Sequence, residues 1–240
     1  MSFNLAGFTV AIVIIGLTVG GAVTLQHAKA TSQYAIIIAE FDHYRGAVSQ
    51  FKQQYKALPG DLTKASSFWN TKDGDGDGKI GISDEPKTHP EVMLFWQHLA
   101  LAELIAGNYS GVSGPGESGY HAIIGENVPA SDYAEAGWSL HPDIGQAKDN
   151  KSRFDGYYGS YLFFGRETDR AVTYGDIMSA NAMAAIDRKI DDGKPATGFM
   201  VAARPALSPN CVEGNGKKAL YQSSDMANTC HIVIKNAGGF

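Results

Sequence analysis

The apolar and polar positions divide the chain into an N-terminal rod and a mixed remainder. Residues 1–26 contain no charged side chain. Within them Phe8 to Leu25 (FTVAIVIIGLTVGGAVTL) is apolar and long enough to span a hydrocarbon core of roughly 30 Å. From Tyr34 the pattern becomes periodic. Tyr34, Ile37, Phe41, Tyr44, Val48, Phe51 and Tyr55 recur at spacings of three and four, which places them on one helical stripe. Glu40, Asp42, Arg45, Gln50, Lys52 and Gln53 fill the other faces. Pro59-Gly60 then stops the helix. The pattern predicts one continuous helix from Phe8 to Tyr55, roughly 70 Å long at about 1.5 Å per residue.

Beyond the rod the chain reads as an α+β head with an antiparallel sheet and additional helices. Asp61 to Asn70 predicts a short helix or turn with Asp61 as its N-cap, and Trp69 reads as a core anchor. Glu91 to Ala106 predicts a buried helix that starts after Pro90 and stops at Gly107. Its His98 reads as a satisfied core histidine. Residues 109–151 are rich in Gly, Ser, Pro, Asp and Asn and show no period, although short runs such as Tyr120–Ile124 suit strands. Phe154 to Gly165 predicts an aromatic strand with Gly159 at a bulge. Tyr174 to Ile190 predicts a helix closed by Gly193. Phe199–Ala203, Leu220–Tyr221 and Cys230–Ile234 suit further strands.

Composition narrows the function classes. The apolar and aromatic fractions, 44% and 10% of 240 residues, suffice for a core. The net charge of −5 comes without a Lys/Arg cluster, so no nucleic-acid partner is evident. The two cysteines, Cys211 and Cys230, are close in sequence and lie beyond an export-type segment, which favours a disulfide over a pair of free buried thiols. No GxSxG elbow, HExxH helix or Walker loop is present, and the seven histidines show no metal-binding spacing. Gly214-Asn215-Gly216 lacks the strand-turn-helix context of a phosphate loop.

One stretch carries a chemical signal. In Asp73-Gly-Asp75-Gly-Asp77-Gly78-Lys79-Ile80 the aspartates fall at positions one, three and five of a calcium loop. Gly78 makes the turn at six, Lys79 offers its carbonyl at seven and Ile80 is the apolar eighth residue. Asp84 stands at the twelfth position, with Glu85 one step later. A hard cation wants six or more oxygens, and alternating carboxylates on a tight loop can converge on it. The predicted cofactor is a structural Ca2+ held by Asp73, Asp75, Asp77, Lys79, Asp84 and Glu85. The competing reading is an acidic surface turn. Pro86 and Pro90 obstruct a helix leaving the loop, so an isolated loop is expected rather than a helix-loop-helix pair.

The whole pattern resembles the type IV pilin and type II secretion pseudopilin family. Gly7-Phe8-Thr9 is similar to the site at which a prepilin peptidase cuts, and Val13-Ile14-Ile15-Gly16-Leu17 to the family's apolar spine. Ala57-Leu58-Pro59-Gly60-Asp61 resembles the helix exit of one pseudopilin-like group. Phe95-Trp96-Gln97-His98-Leu99 and Ile190-Asp191-Asp192-Gly193-Lys194-Pro195 resemble its later landmarks. Ile12 stands where the family carries a glutamate, and the leader has no Lys or Arg.

The resemblance implies a leader at 1–7 cut between Gly7 and Phe8, a transmembrane and filament-core half at 8–28, and an amphipathic half at 29–58. A head then fills 59–240, with the calcium-type loop at 73–85 and the disulfide loop at 211–230. It implies a non-enzymatic filament subunit of a secretion system or pilus, assembled through Phe8, Val13, Ile14, Ile15 and Leu17. The implied partners are other pilin-like subunits, the prepilin peptidase and, before assembly, the membrane. The implied location is a bacterial inner membrane, crossed once with the head in the periplasm, and afterwards a filament. The alternative is a secreted soluble binding protein or enzyme released by a signal peptidase cut after Ala30.

Overall fold

The computed structural model describes residues 34–82, 89–116, 118–223 and 229–236. Helix α1 covers 34–55 and is followed by a 3-10 turn at Ala65–Ser67. Helix α2 spans Glu91–Leu101 and α3 spans Ala180–Ile190. The strands are β1 (Ala136–His141), β2 (Gln146–Ala147), β3 (Gly156–Tyr157), β4 (Tyr161–Arg166), β5 (Met200–Ala202), β6 (Val212–Glu213), β7 (Leu220–Tyr221) and β8 (Ile232–Ile234). Four of them form an antiparallel sheet in the order β1-β4-β8-β5, while β2-β3 and β6-β7 are separate two-stranded ribbons.

The long N-terminal spine, continuous from Phe8 to Tyr55, is corrected by this structure. The described helix, α1, is about 33 Å long at 1.5 Å per residue. Among the described residues no helix is long and apolar enough to cross a membrane. Helix α1 itself is unsuited to hydrocarbon because only one face is apolar, while the exposed positions include Asp42, His43 and Arg45. It is a surface helix lying on a sheet-rich head. The transmembrane helix and the single-pass inner-membrane placement fall with the spine. The leader, the apolar run and its residues Gly7, Phe8, Val13, Ile14, Ile15 and Leu17 lie outside the described residues.

The stripe on α1 is what holds it. Ile37, Phe41, Tyr44, Ala47, Val48 and Phe51 are all buried in the main core. Phe41 stacks between Trp138 of β1 and Phe199, with centroids 6.5 and 6.0 Å away. Tyr44 meets the edges of Trp96 and Trp138 at 5.2 and 5.9 Å. Each of the larger side chains contributes about 1.5–3 kcal/mol by leaving water, so the stripe is the dominant attachment of α1. The helix ends at residue 55, where Lys56 turns left-handed with φ 56° and its N–H still donates to the Lys52 carbonyl at 3.1 Å.

The sheet has two covered faces. Trp138, Leu140, Leu162, Phe164, Met200, Ala202, Ile232 and Ile234 point into the core that α1 and α2 share. The intervening positions Tyr161, Phe163, Val201 and Val233 pack with Tyr158 and Val172 in a second cluster. Cys211 and Cys230 form the disulfide, both fully buried, and Cys230 leads into β8. Helix α3 begins later than its pattern suggested, at Ala180, where Ser179 accepts the Ala182 N–H at 3.2 Å as an N-cap.

Candidate metal centre

The acidic loop is folded back against the exit of α1 and the start of α2. Gly60 adopts φ +89°, and a Cβ there would stand 2.4 Å from the Glu91 carbonyl oxygen. A Cβ on Gly74 would stand 2.3 Å from the Gly60 carbonyl oxygen and 2.5 Å from the Asp61 backbone. Three backbone segments therefore approach more closely than any side chain allows. Farther along, Ile80 plugs the loop into the core. Its carbonyl accepts the Asp143 N–H at 3.1 Å and the Ser160 hydroxyl at 3.2 Å.

This packing brings together carboxylates that are distant in sequence. Asp61, Asp75 and Glu91 each place an oxygen within 4.8 Å of the other two. Asp75 is exposed at the rim, whereas Asp61 and Glu91 are each only 3% exposed. Backbone N–H groups of the loop orient the buried pair. Asp75 and Gly81 donate to the two Glu91 oxygens at 3.0 and 2.7 Å, and Gly78 donates to Asp61 Oδ2 at 3.1 Å. Asp61 Oδ1 is buried and has no hydrogen-bond partner among the described residues.

The electrostatics follow from the crowding. Burial pushes the Glu91 carboxyl up to about 7; the charges of Asp75 and Asp61 act in the same direction, and the two loop N–H groups partly offset them. Asp61 is also raised, first by burial and further by Asp77 and Asp75, against the N–H groups of Gly76 and Gly78. Convergent carboxylate oxygens suit an oxygen-seeking cation.

The sequence-derived ligands are distributed differently. Asp75 joins the cluster. Asp73 instead accepts the Ser66 N–H at 2.7 Å and the Ser66 hydroxyl at 3.1 Å, tying down the 3-10 turn. Asp77 accepts the Lys79 N–H at 2.7 Å, and its own N–H donates to Asp75 Oδ1 at 3.0 Å. Lys79 is exposed. Asp84 and Glu85 lie outside the described residues. Asp61 and Glu91 escape a reading by local pattern because each has a local explanation, as an N-cap and as a first-turn acid. The usable signal is that each is a lone carboxylate in an apolar setting: Leu58-Pro59-Gly60 and Leu62 around Asp61, Pro90 and Val92-Met93-Leu94 around Glu91.

His98 lies beneath this cluster as a neutral strut. It is fully buried, its Nδ1 accepts the Gly60 N–H at 3.0 Å, and Nε2 donates to the Lys72 carbonyl at 3.2 Å. Burial holds its pKa down at about 4. The ring stacks on Phe51 of α1 at 6.3 Å and lies 6.0 Å from Trp69.

A second polar group, not evident from spacing, consists of Ser208, His231 and Asp176. Ser208 donates to Asp176 Oδ1 at 2.6 Å, and both meet the same ring nitrogen, His231 Nδ1, at 3.2 and 2.9 Å. A nucleophile relay needs serine and carboxylate on opposite ring nitrogens. Here both sit on one, and Ser208 and His231 are wholly buried. The group is a polar knot under β8.

No protein-family model, curated protein or solved structure matches this chain.

Proposed function

We propose that this chain is a pilin-like structural subunit, non-enzymatic, that assembles with other pilin-like subunits after processing by a prepilin peptidase. The observation that supports this reading most directly is the docking of α1. An apolar stripe of Ile37, Phe41, Tyr44, Val48 and Phe51 buries one face of the helix on an antiparallel sheet, and the other face remains solvated. The remaining fixtures serve the same end. Glu40 ties α1 to the loop before β1, His98 and the acidic loop brace the helix exit, and the disulfide closes the C-terminal segment. The convergent side chains are carboxylates and buried struts, an inventory suited to holding a shape.

The test is the N-terminal residue of the mature protein from its native host, read by intact mass and peptide sequencing. A start at Phe8 is expected for a processed pilin-like subunit. A start at Thr31 would mean release by signal peptidase and would overturn the assembly reading in favour of a soluble exported binding protein.

A further inference from the structure

We infer that Asp61, Asp75 and Glu91 form a calcium site that clasps the 72–82 loop to the exit of α1 and the first turn of α2. The ligand set differs from a contiguous calcium loop: one ligand comes from the loop and two come from the elements flanking it.

Four observations carry this. The three carboxylates converge within 4.8 Å of one another. Opposed oxygens on one calcium stand at about this distance, twice a Ca–O bond of roughly 2.3–2.6 Å. Two of the three acids are withdrawn from water, each with 3% exposure, and withdrawing like charges together is costly unless something compensates them. Asp61 Oδ1 is buried with no partner among the described residues, although a carboxylate oxygen is a strong acceptor and its neighbours in the cluster are themselves acceptors. A cation supplies the missing partner. Finally, the N–H groups of Asp75, Gly78 and Gly81 occupy one lone pair on each oxygen they meet and hold the carboxylates in place, leaving other lone pairs for a metal.

The neighbouring acids Asp73 and Asp77 are not among the convergent three, and Asp73 ties down Ser66 through both of its oxygens. Asp75 lies at the exposed rim, so the cation has an entry path, and water completes the coordination that three carboxylates cannot fill. Calcium suits the site better than magnesium because a loop that follows its ligands tolerates irregular geometry, whereas magnesium demands a near-ideal octahedron. The inference does not depend on assembly: the clasp would bind whether the mature chain starts at Phe8 or at Thr31.

The experiment is a calcium titration of the chelator-stripped full-length chain, followed by calorimetry and by the melting temperature, on wild type, Asp75→Asn and Asp73→Asn. Asp75 and Asp73 are both exposed, and circular dichroism in chelator verifies that each variant folds. Wild type is expected to bind calcium and to melt higher with it. Asp75→Asn is expected to weaken binding at least about tenfold, and Asp73→Asn by less than about threefold. Absence of calcium binding by the wild type would overturn the site. Loss in Asp73→Asn equal to or greater than that in Asp75→Asn would overturn the ligand set in favour of a contiguous loop. Magnesium binding as tight as calcium binding would overturn the choice of ion.

Discussion

The indole N–H of Trp138, at the centre of β1, donates to Glu40 Oε2 of α1 at 2.8 Å. The same carboxylate accepts the Ser131 hydroxyl at 2.7 Å and the Asp132 N–H at 2.9 Å. One acid on the helix thus fixes both the edge strand β1 and the turn leading into it, beside the ring contacts that Trp138 makes with Phe41 and Tyr44. Glu40→Ala leaves a buried indole N–H and a turn without their acceptor. Bonds to a charged acceptor contribute about 1.5–3 kcal/mol net, and neighbouring bonds are not additive. The expected loss is therefore about 3 kcal/mol, read from urea unfolding. Glu40→Gln, which keeps one acceptor oxygen, is expected to lose about half as much.

Helix α2 ends in a left-handed residue that is not glycine. Glu103 has φ 59°, its N–H donates to the Ala100 carbonyl at 2.9 Å, and the Leu104 N–H donates to the Leu99 carbonyl at 3.0 Å. This is a Schellman ending, in which glycine is the usual residue. Glu103→Gly is expected to stabilise the protein by about 1 kcal/mol, since the strain of a Cβ in this conformation exceeds the added freedom of the unfolded chain. Chemical denaturation would show this as a higher midpoint at unchanged slope.

These two sites show what the sequence discloses and what it withholds. Helix α1 was legible because its buried face recurs at three and four residues, and Ile80 because an apolar residue in an acidic loop has one place to go. Strand β1 was not legible. It is covered on both faces, with Trp138 and Leu140 toward α1 and Ser139 toward Thr173 at 2.8 Å, so it lacks the apolar–polar alternation that marks a half-exposed strand. Its neighbours are Gly, Ala and Ser, which read as loop. The metal-type cluster was legible only at Asp75. Asp61 and Glu91 reach it through the backbone packing of Gly60 and Gly74, a tertiary event with no local periodicity. The spine was read from an apolar run followed by an amphipathic one, which satisfies a helical pattern throughout; the described part of it is the amphipathic helix at 34–55.

The disulfide closes a loop with a sequence separation of 19 residues. Cross-linking a loop of that size lowers the freedom of the unfolded chain by about 3 kcal/mol. Replacing both cysteines by alanine, which leaves no lone thiol in the core, is expected to cost about that much. The loss should appear in equilibrium unfolding, and adding a reductant to the unfolded wild type should bring its refolding midpoint to the same value. A double variant as stable as the oxidised protein would mean that β8 is held by packing alone.

His141, at the end of β1, gives the protein a dependence on acid. Its ring stacks on Tyr161 at 4.6 Å and meets Tyr120 at 4.9 Å, and Nδ1 donates to the Pro142 carbonyl at 3.1 Å. Burial lowers its pKa to about 4; the Pro142 carbonyl opposes that shift and the Arg153 charge adds to it. An unfolded histidine takes up a proton near pH 6.5, as pKa values of free side chains dictate. Between these two values the unfolded chain binds more protons than the folded one, so this contribution is fully present above about pH 6.5 and is lost as the pH falls towards about 4. His141→Phe keeps the ring packing and removes the titration. The stability difference between pH 7 and pH 4 should shrink by about 3 kcal/mol relative to wild type, in urea unfolding at both pH values. An undiminished pH dependence in the variant would place the acid sensitivity elsewhere, with His98 the next histidine to replace because burial holds it neutral for the same reason.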